Sequence, residues 1–135
     1  MMKIISIFIC IHIGMIISGC KYDKFNDSLS RFKELNDVGE NSKIYIIPGS
    51  GCTGCISSAE ELALKNINSD SNYFIFTEIR SLKRFKNKFP QLYIAKNVIV
   101  DSLNYFKYPN DQYRIYPIVY KMVSKNLEFF QYLKP

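Results

Sequence analysis

The 135-residue sequence predicts an α/β fold in three layers, with a central mixed sheet that ends in an antiparallel hairpin. Three observations carry this. The short runs "KIYIIP" and "NYFIFT" are rich in β-branched and aromatic residues and are separated by a helical pattern, so they pair in parallel through a crossover. A second helical pattern follows. Near the end, "YPIVYKMV" and "LEFFQYL" read as strands joined by Ser124-Lys125-Asn126, a loop short enough only for an antiparallel pair.

Taken in order, the first element is a processing segment. Met1-Met2-Lys3 supplies a positive charge, Ile4–Ile17 is apolar but short for a membrane span, and small residues follow, as in a secretory signal peptide. The end of this segment, Ile17-Ser18-Gly19-Cys20, resembles the lipobox of bacterial lipoproteins. That resemblance implies cleavage after Gly19, acylation (palmitate among the chains) of Cys20, and a lipid-anchored protein of the bacterial cell envelope, facing the periplasm or the cell surface. Lys21 after the cysteine favours the outer membrane. Acyl chains anchor in proportion to the methylenes they bury, about 0.8 kcal/mol each.

Residues 20–42 form the lipidated N-terminus and a tether, in which Phe25, Leu29, Phe32 and Leu35 recur at helical steps. This amphipathic helix either packs on the domain or spaces it from the membrane. Residues 43–135 form the domain. "KIYIIP" is a buried strand closed by Pro48. "ISSAEELALKNI" is a helix with Ala59, Leu62, Ala63 and Ile67 on one face, and "SLKRFKNKF" is a second, with Leu82, Phe85 and Phe89 on one face and Lys83, Arg84, Lys86 and Lys88 on the others. Those cations read as a solvated face or as a surface for anionic head groups. "NVIVD" is left open between strand and loop, and the tyrosine-rich "SLNYFKYPNDQYRIYP" between a binding rim and a loop packed on the core. No closing helix is expected after the hairpin.

Composition narrows the chemistry. Hydrophobic residues make up 47% and aromatics 15%, enough for a packed core without cross-links, and the net charge is +6. Nucleic acid is not an expected partner of an exported chain. The four cysteines are Cys10, Cys20, Cys52 and Cys55, and the single histidine is His12. Cleavage removes Cys10 and His12 and acylation blocks Cys20, which leaves Cys52 and Cys55 as the free thiols. Without histidine, Cys-His and Ser-His-Asp catalysis and mixed Cys/His zinc sites are excluded.

Cys52-Thr53-Gly54-Cys55 lies between the first strand and its helix. A helix N-terminus presents unpaired N–H groups and partial positive charge, both of which favour a thiolate. Cys52 at the cap is then the nucleophile, and Cys55, one turn in, the resolving thiol. Strand, CxxC, helix, strand, helix, then Pro117 opening a terminal hairpin: over residues 43–135 this order resembles the thioredoxin-like superfamily. The resemblance implies a cis bond before Pro117, peptide contacts from Tyr116 and Pro117 beside Thr53 and Gly54, and no cofactor other than the redox-active Cys52–Cys55 disulfide. It further implies that the partners are exported protein thiols or disulfides, or a membrane electron donor.

The sequence departs from that family at Gly51, where an aromatic residue is usual, at Thr53-Gly54, and in "IYII", which lacks the buried acid. Glu60 and Glu61 on the next helix are expected at the surface. Two other readings stand beside oxidoreductase: a non-catalytic envelope lipoprotein with a structural Cys52–Cys55 disulfide, and a soft-metal carrier binding Cu(I) through two thiolates.

Overall fold

A computed structural model describes residues 23–134, and the signal, lipobox, Cys20 and Lys21 readings lie outside the described residues. The elements are helix α1 (Lys24–Leu35), strand β1 (Lys43–Pro48), helix α2 (Thr53–Lys65), strand β2 (Asn72–Thr77), the short helices α3 (Leu82–Lys88) and α4 (Pro90–Tyr93), and strands β3 (Val98–Asp101), β4 (Ile118–Val123) and β5 (Asn126–Tyr132). They form one mixed five-stranded sheet in the order β3-β2-β1-β4-β5. β1, β2 and β3 run parallel, and the β4–β5 hairpin joins antiparallel to β1.

Alternation along the strands divides the core into two. Ile44, Ile46, Ile75, Ile118, Tyr120 and Met122 point to one face, where Phe25, Leu29 and Phe32 of α1 cover them with Phe106. Tyr45, Ile47, Phe74, Phe76 and Val119 point to the other, against Ala59 and Ala63 of α2 and Phe85, Phe89 and Leu92 of α3 and α4. The period of two in the strands and of three to four in the helices makes each face continuous. α1 therefore packs on the sheet rather than standing off as a spacer. Leu35, the last member of its expected stripe, is 85% exposed because the helix ends there.

Several local expectations shift. α2 begins at Thr53, before Ile56, because Cys52 serves as its N-cap. "NVIVD" settles as β3, an edge strand paired with β2. The basic helix forms as α3, with Ser81 and Phe89 as its caps, and Pro90 then starts the separate helix α4, since a proline cannot continue the preceding helix's hydrogen bonding. The hairpin loop has two residues, not three: Ser124 and Lys125 both take positive φ, +48° and +67°, the two-residue turn whose twist suits a hairpin. Glu40 accepts the N–H groups of both (2.7 and 3.3 Å), which ties the turn to the segment between α1 and β1.

β3 lies on the far side of β2 from β4, so residues 102–117 must cross the sheet to start the hairpin. That crossing covers the α1 face: Phe106 is buried there, Tyr108 meets Phe25 edge-on at 5.3 Å, and Tyr113 stacks on Tyr132 at 4.8 Å. The tyrosine-rich stretch is thus pinned to the core through Phe106, Tyr108 and Tyr113, while Leu103, Tyr105 and Ile115 stay exposed. Asp101 holds its start by accepting from Thr77 Oγ1 (2.9 Å) and the Phe106 N–H (2.8 Å).

Candidate functional site

β1 ends at Pro48, and the chain must turn sharply to enter α2. Gly49 permits the turn because the backbone of Glu78 is so close that a Cβ at residue 49 would lie 2.4 Å from the Glu78 carbonyl oxygen. Gly51 has φ +142°, and a Cβ there would lie 2.4 Å from the carbonyl oxygen of Ile115. The same carbonyl accepts the Cys52 N–H at 2.9 Å. The glycine in place of the expected aromatic residue therefore lets the cysteine loop sit directly on the end of the 102–117 crossing.

Cys52 and Cys55 form a disulfide with Cα atoms 5.3 Å apart. The two sulfurs have different surroundings. Cys52 caps α2, is partly exposed, and its Sγ accepts the Cys55 N–H at 3.4 Å. Cys55 is 3% exposed, on the same helix face as Ala59 and Ala63. A nucleophile reaching the pair from solvent meets Cys52 first, and the donor that would stabilise its thiolate is already in place.

Thr53 and Gly54 are exposed on the first turn of α2, and nothing approaches within 4 Å of where a Gly54 Cβ would stand. Pro117 is fully buried and Tyr116 partly exposed. Two details differ from the resemblance. Among the described residues every peptide bond is trans, the one before Pro117 included. The Tyr116 N–H donates to the Tyr113 carbonyl at 3.0 Å, so it is engaged within the loop.

Charge near the pair follows contacts that sequence reasoning missed. Glu60 is not a free surface carboxylate: its side chain is 18% exposed and accepts two hydrogen bonds from Lys88 Nζ, at 2.9 and 3.0 Å. Glu61 is exposed as expected, and its pairing with Lys65, a hydrogen bond first and charge attraction second, holds its carboxyl below the usual range. Glu78, at the end of β2, lies 3.6 Å from Lys107 and 3.8 Å from Arg114 on the crossing loop. Apart from Glu61 and Lys65, which are four residues apart on α2, none of these partners is within helical reach along the chain, so no spacing rule could have found them.

A groove of about 230 Å³ opens beside the first turns of α2. It is floored by Ile56, Phe76, Ile79 and Phe85 and edged by Arg80, Arg84 and Lys88. A larger one, about 360 Å³, lies on the opposite face between α1 and Tyr105–Phe106. Among the described residues, no three His, Cys, Asp or Glu side chains are grouped to hold a metal ion, and both thiols of the proposed copper pair are taken up in the disulfide. Among the same residues, no helix is long and apolar enough to cross a membrane.

The fold and site define an α/β protein with a disulfide of CxxC spacing at the start of a helix, a geometry compatible with thiol–disulfide chemistry. No family model, curated protein or solved structure matches the chain.

Proposed function

We propose that the chain is a thioredoxin-like, envelope-anchored thiol–disulfide exchange protein. The observation that carries this reading is the asymmetry of the pair: Cys52 at a helix cap, partly exposed and receiving an N–H, and Cys55 buried one turn behind it. In the reduced protein the Cys52 thiolate attacks one sulfur of a partner disulfide, and the other partner sulfur leaves with the electron pair of the broken bond and takes up a proton. Cys55 then gives up its proton and displaces the partner from Cys52, closing Cys52–Cys55; the protein loses two electrons and the partner disulfide gains them. With a reduced partner the same steps run backwards. Thr53, Gly54 and Tyr116 make the substrate contacts, those of Tyr116 through its side chain and carbonyl, and the fully buried Pro117 anchors Tyr116 rather than touching the substrate. Cys20 carries the lipid, and the partners are exported protein thiols or disulfides or a membrane dithiol donor.

The test is the reduction potential, measured by equilibrating the protein in defined thiol buffers and counting free thiols by mass after alkylation. A reversible transition between about −120 and −270 mV supports exchange. A second reading, an inert structural disulfide, draws on the engaged Tyr116 N–H, and a potential below about −300 mV selects it. The anchor is tested separately: Cys20→Ala should move the protein from the membrane to the soluble fraction of cells.

A further inference from the structure

The chemistry of the groove beside α2 narrows what could occupy it. The groove adjoins the redox pair through the backbone: the Ile56 N–H in its wall donates to the Cys52 carbonyl at 2.9 Å, and Pro48 and Gly49, which lead into the cysteine loop, form its end. Its floor is apolar, with Phe76 and Phe85 buried. Three cations stand on its edge. Lys88 is neutralised by Glu60, whereas among the described residues neither Arg80 nor Arg84 has a carboxylate partner. Guanidinium groups suit carboxylates better than ammonium groups do, because their planar fork donates to both oxygens.

We propose that this groove is the docking site for an acidic segment of the protein that exchanges disulfides with Cys52, a reading that rests on the proposed exchange activity. The volume suits one or two side chains: an apolar one on the Ile56–Ile79–Phe85 floor and a carboxylate on Arg80 and Arg84. Charge complementarity selects the acidic segment, since Glu60 and Lys88 offset each other and the two arginines leave the groove with a net positive charge. A membrane surface fits less well, because the apolar groups lie at the bottom of a concavity and the Glu60 carboxylate stands among them. Docking here would hold a partner's cysteine beside Cys52 and raise the rate of exchange without altering the potential of the pair.

The test uses peptides whose single cysteine is joined to 2-thiopyridine, so that attack by Cys52 of the reduced protein releases 2-thiopyridone, which is followed by absorbance. One peptide carries Asp and Glu beside a leucine near its cysteine, and its twin carries Asn and Gln. The acidic peptide is expected to react about tenfold faster at low salt, as two exposed ion pairs allow, and the advantage should vanish at high salt. It should also vanish in Arg80→Gln/Arg84→Gln and persist in Lys125→Gln, on the distant hairpin turn. Equal rates for the twins would overturn the docking site while leaving exchange intact. An acidic advantage that survives the double variant overturns it as well. Release from neither peptide would mean that the exchange reading itself has failed, and the docking site with it. If the two arginines instead govern retention on phosphatidylglycerol vesicles and leave peptide rates unchanged, the surface is a membrane contact and not a peptide groove.

Discussion

The two ends of the central sheet are closed in opposite ways. Where the parallel strands begin, a buried side chain does the closing: Asn97 Nδ2 donates to the carbonyls of Asn66 and Asn72 (2.8 and 2.7 Å), and its Oδ1 accepts the Asn68 N–H at 2.8 Å. Where those strands finish, backbone lies on backbone, with Gly49 against Glu78 and Gly51 against Ile115, and the disulfide is set on top. The first end saturates its polar groups through one rigid amide. The second is assembled from loops and leaves Cys52 accessible, and a reactive group needs both that access and a fixed support.

The largest effect should come from breaking the saturated end. Asn97→Ala removes three hydrogen bonds at once, those to the Asn66 and Asn72 carbonyls and that from the Asn68 N–H, and leaves the Asn66 carbonyl only its bond from the Ser69 N–H, so it should cost about 3 kcal/mol in urea unfolding. The potential of Cys52–Cys55 should stay where it was; a shift would show that the two ends are coupled. Gly51→Ala strikes the other end. A Cβ has no room beside Ile115, so the loop must move, at about 2 kcal/mol, and here the potential and exchange rate should change along with stability. Asp101→Asn is milder. One carboxylate oxygen accepts from both Thr77 and Phe106, and the amide retains an acceptor, so about 1 kcal/mol is expected from urea unfolding, with the crossing loop loosened.

Titration should weaken the same end selectively. Burial pushes the Tyr120 hydroxyl up to about 12, and burial together with the Tyr108 hydrogen bond, 3.1 Å long, does the same for Tyr132. A folded-state pKa above the unfolded value near 10.0 means that the stabilisation is complete below that pH and is lost as pH rises towards 12. Because Tyr132 braces Tyr113 and Tyr108 of the crossing, near-ultraviolet circular dichroism should report that loop loosening over the interval. The smallest effect belongs to the Asp70–Lys96 pair near the Asn97 end. A hydrogen bond from Lys96, then its charge, lowers the Asp70 carboxyl, so this contribution is present above the ordinary carboxylate range and fades as pH falls through the lowered value. Both groups are fully exposed, and Lys96→Met should leave the urea midpoint unchanged within error.

What could be read along the chain was whatever depends on neighbours in sequence. The apolar steps Phe25-Leu29-Phe32 and Ala59-Ala63 place one face of a helix on a core wherever that core lies, and the alternation in "KIYIIP" and "NYFIFT" makes strands of them. A CxxC between strand and helix becomes a capped, asymmetric disulfide because the cap position follows from chain order. Pairings across long separations were invisible. Asn97 looks like an ordinary polar residue before a short apolar run until Asn66, Asn68 and Asn72 surround it. Glu60 and Lys88 are separated by 28 positions, and no periodicity links them.

By itself, then, the sequence determined the elements, their order, the parallel-then-antiparallel pairing and the single dithiol motif, because local periodicity and connection length limit those choices. Only the tertiary structure decided that α2, α3 and α4 share one face of the sheet and that the loop bearing Tyr116 crosses the other to reach Cys52. It also decided that Arg80 and Arg84, without a carboxylate partner among the described residues, edge a groove beside the first turns of α2. These facts depend on which distant segments meet, and such meetings are set by packing the whole core at once.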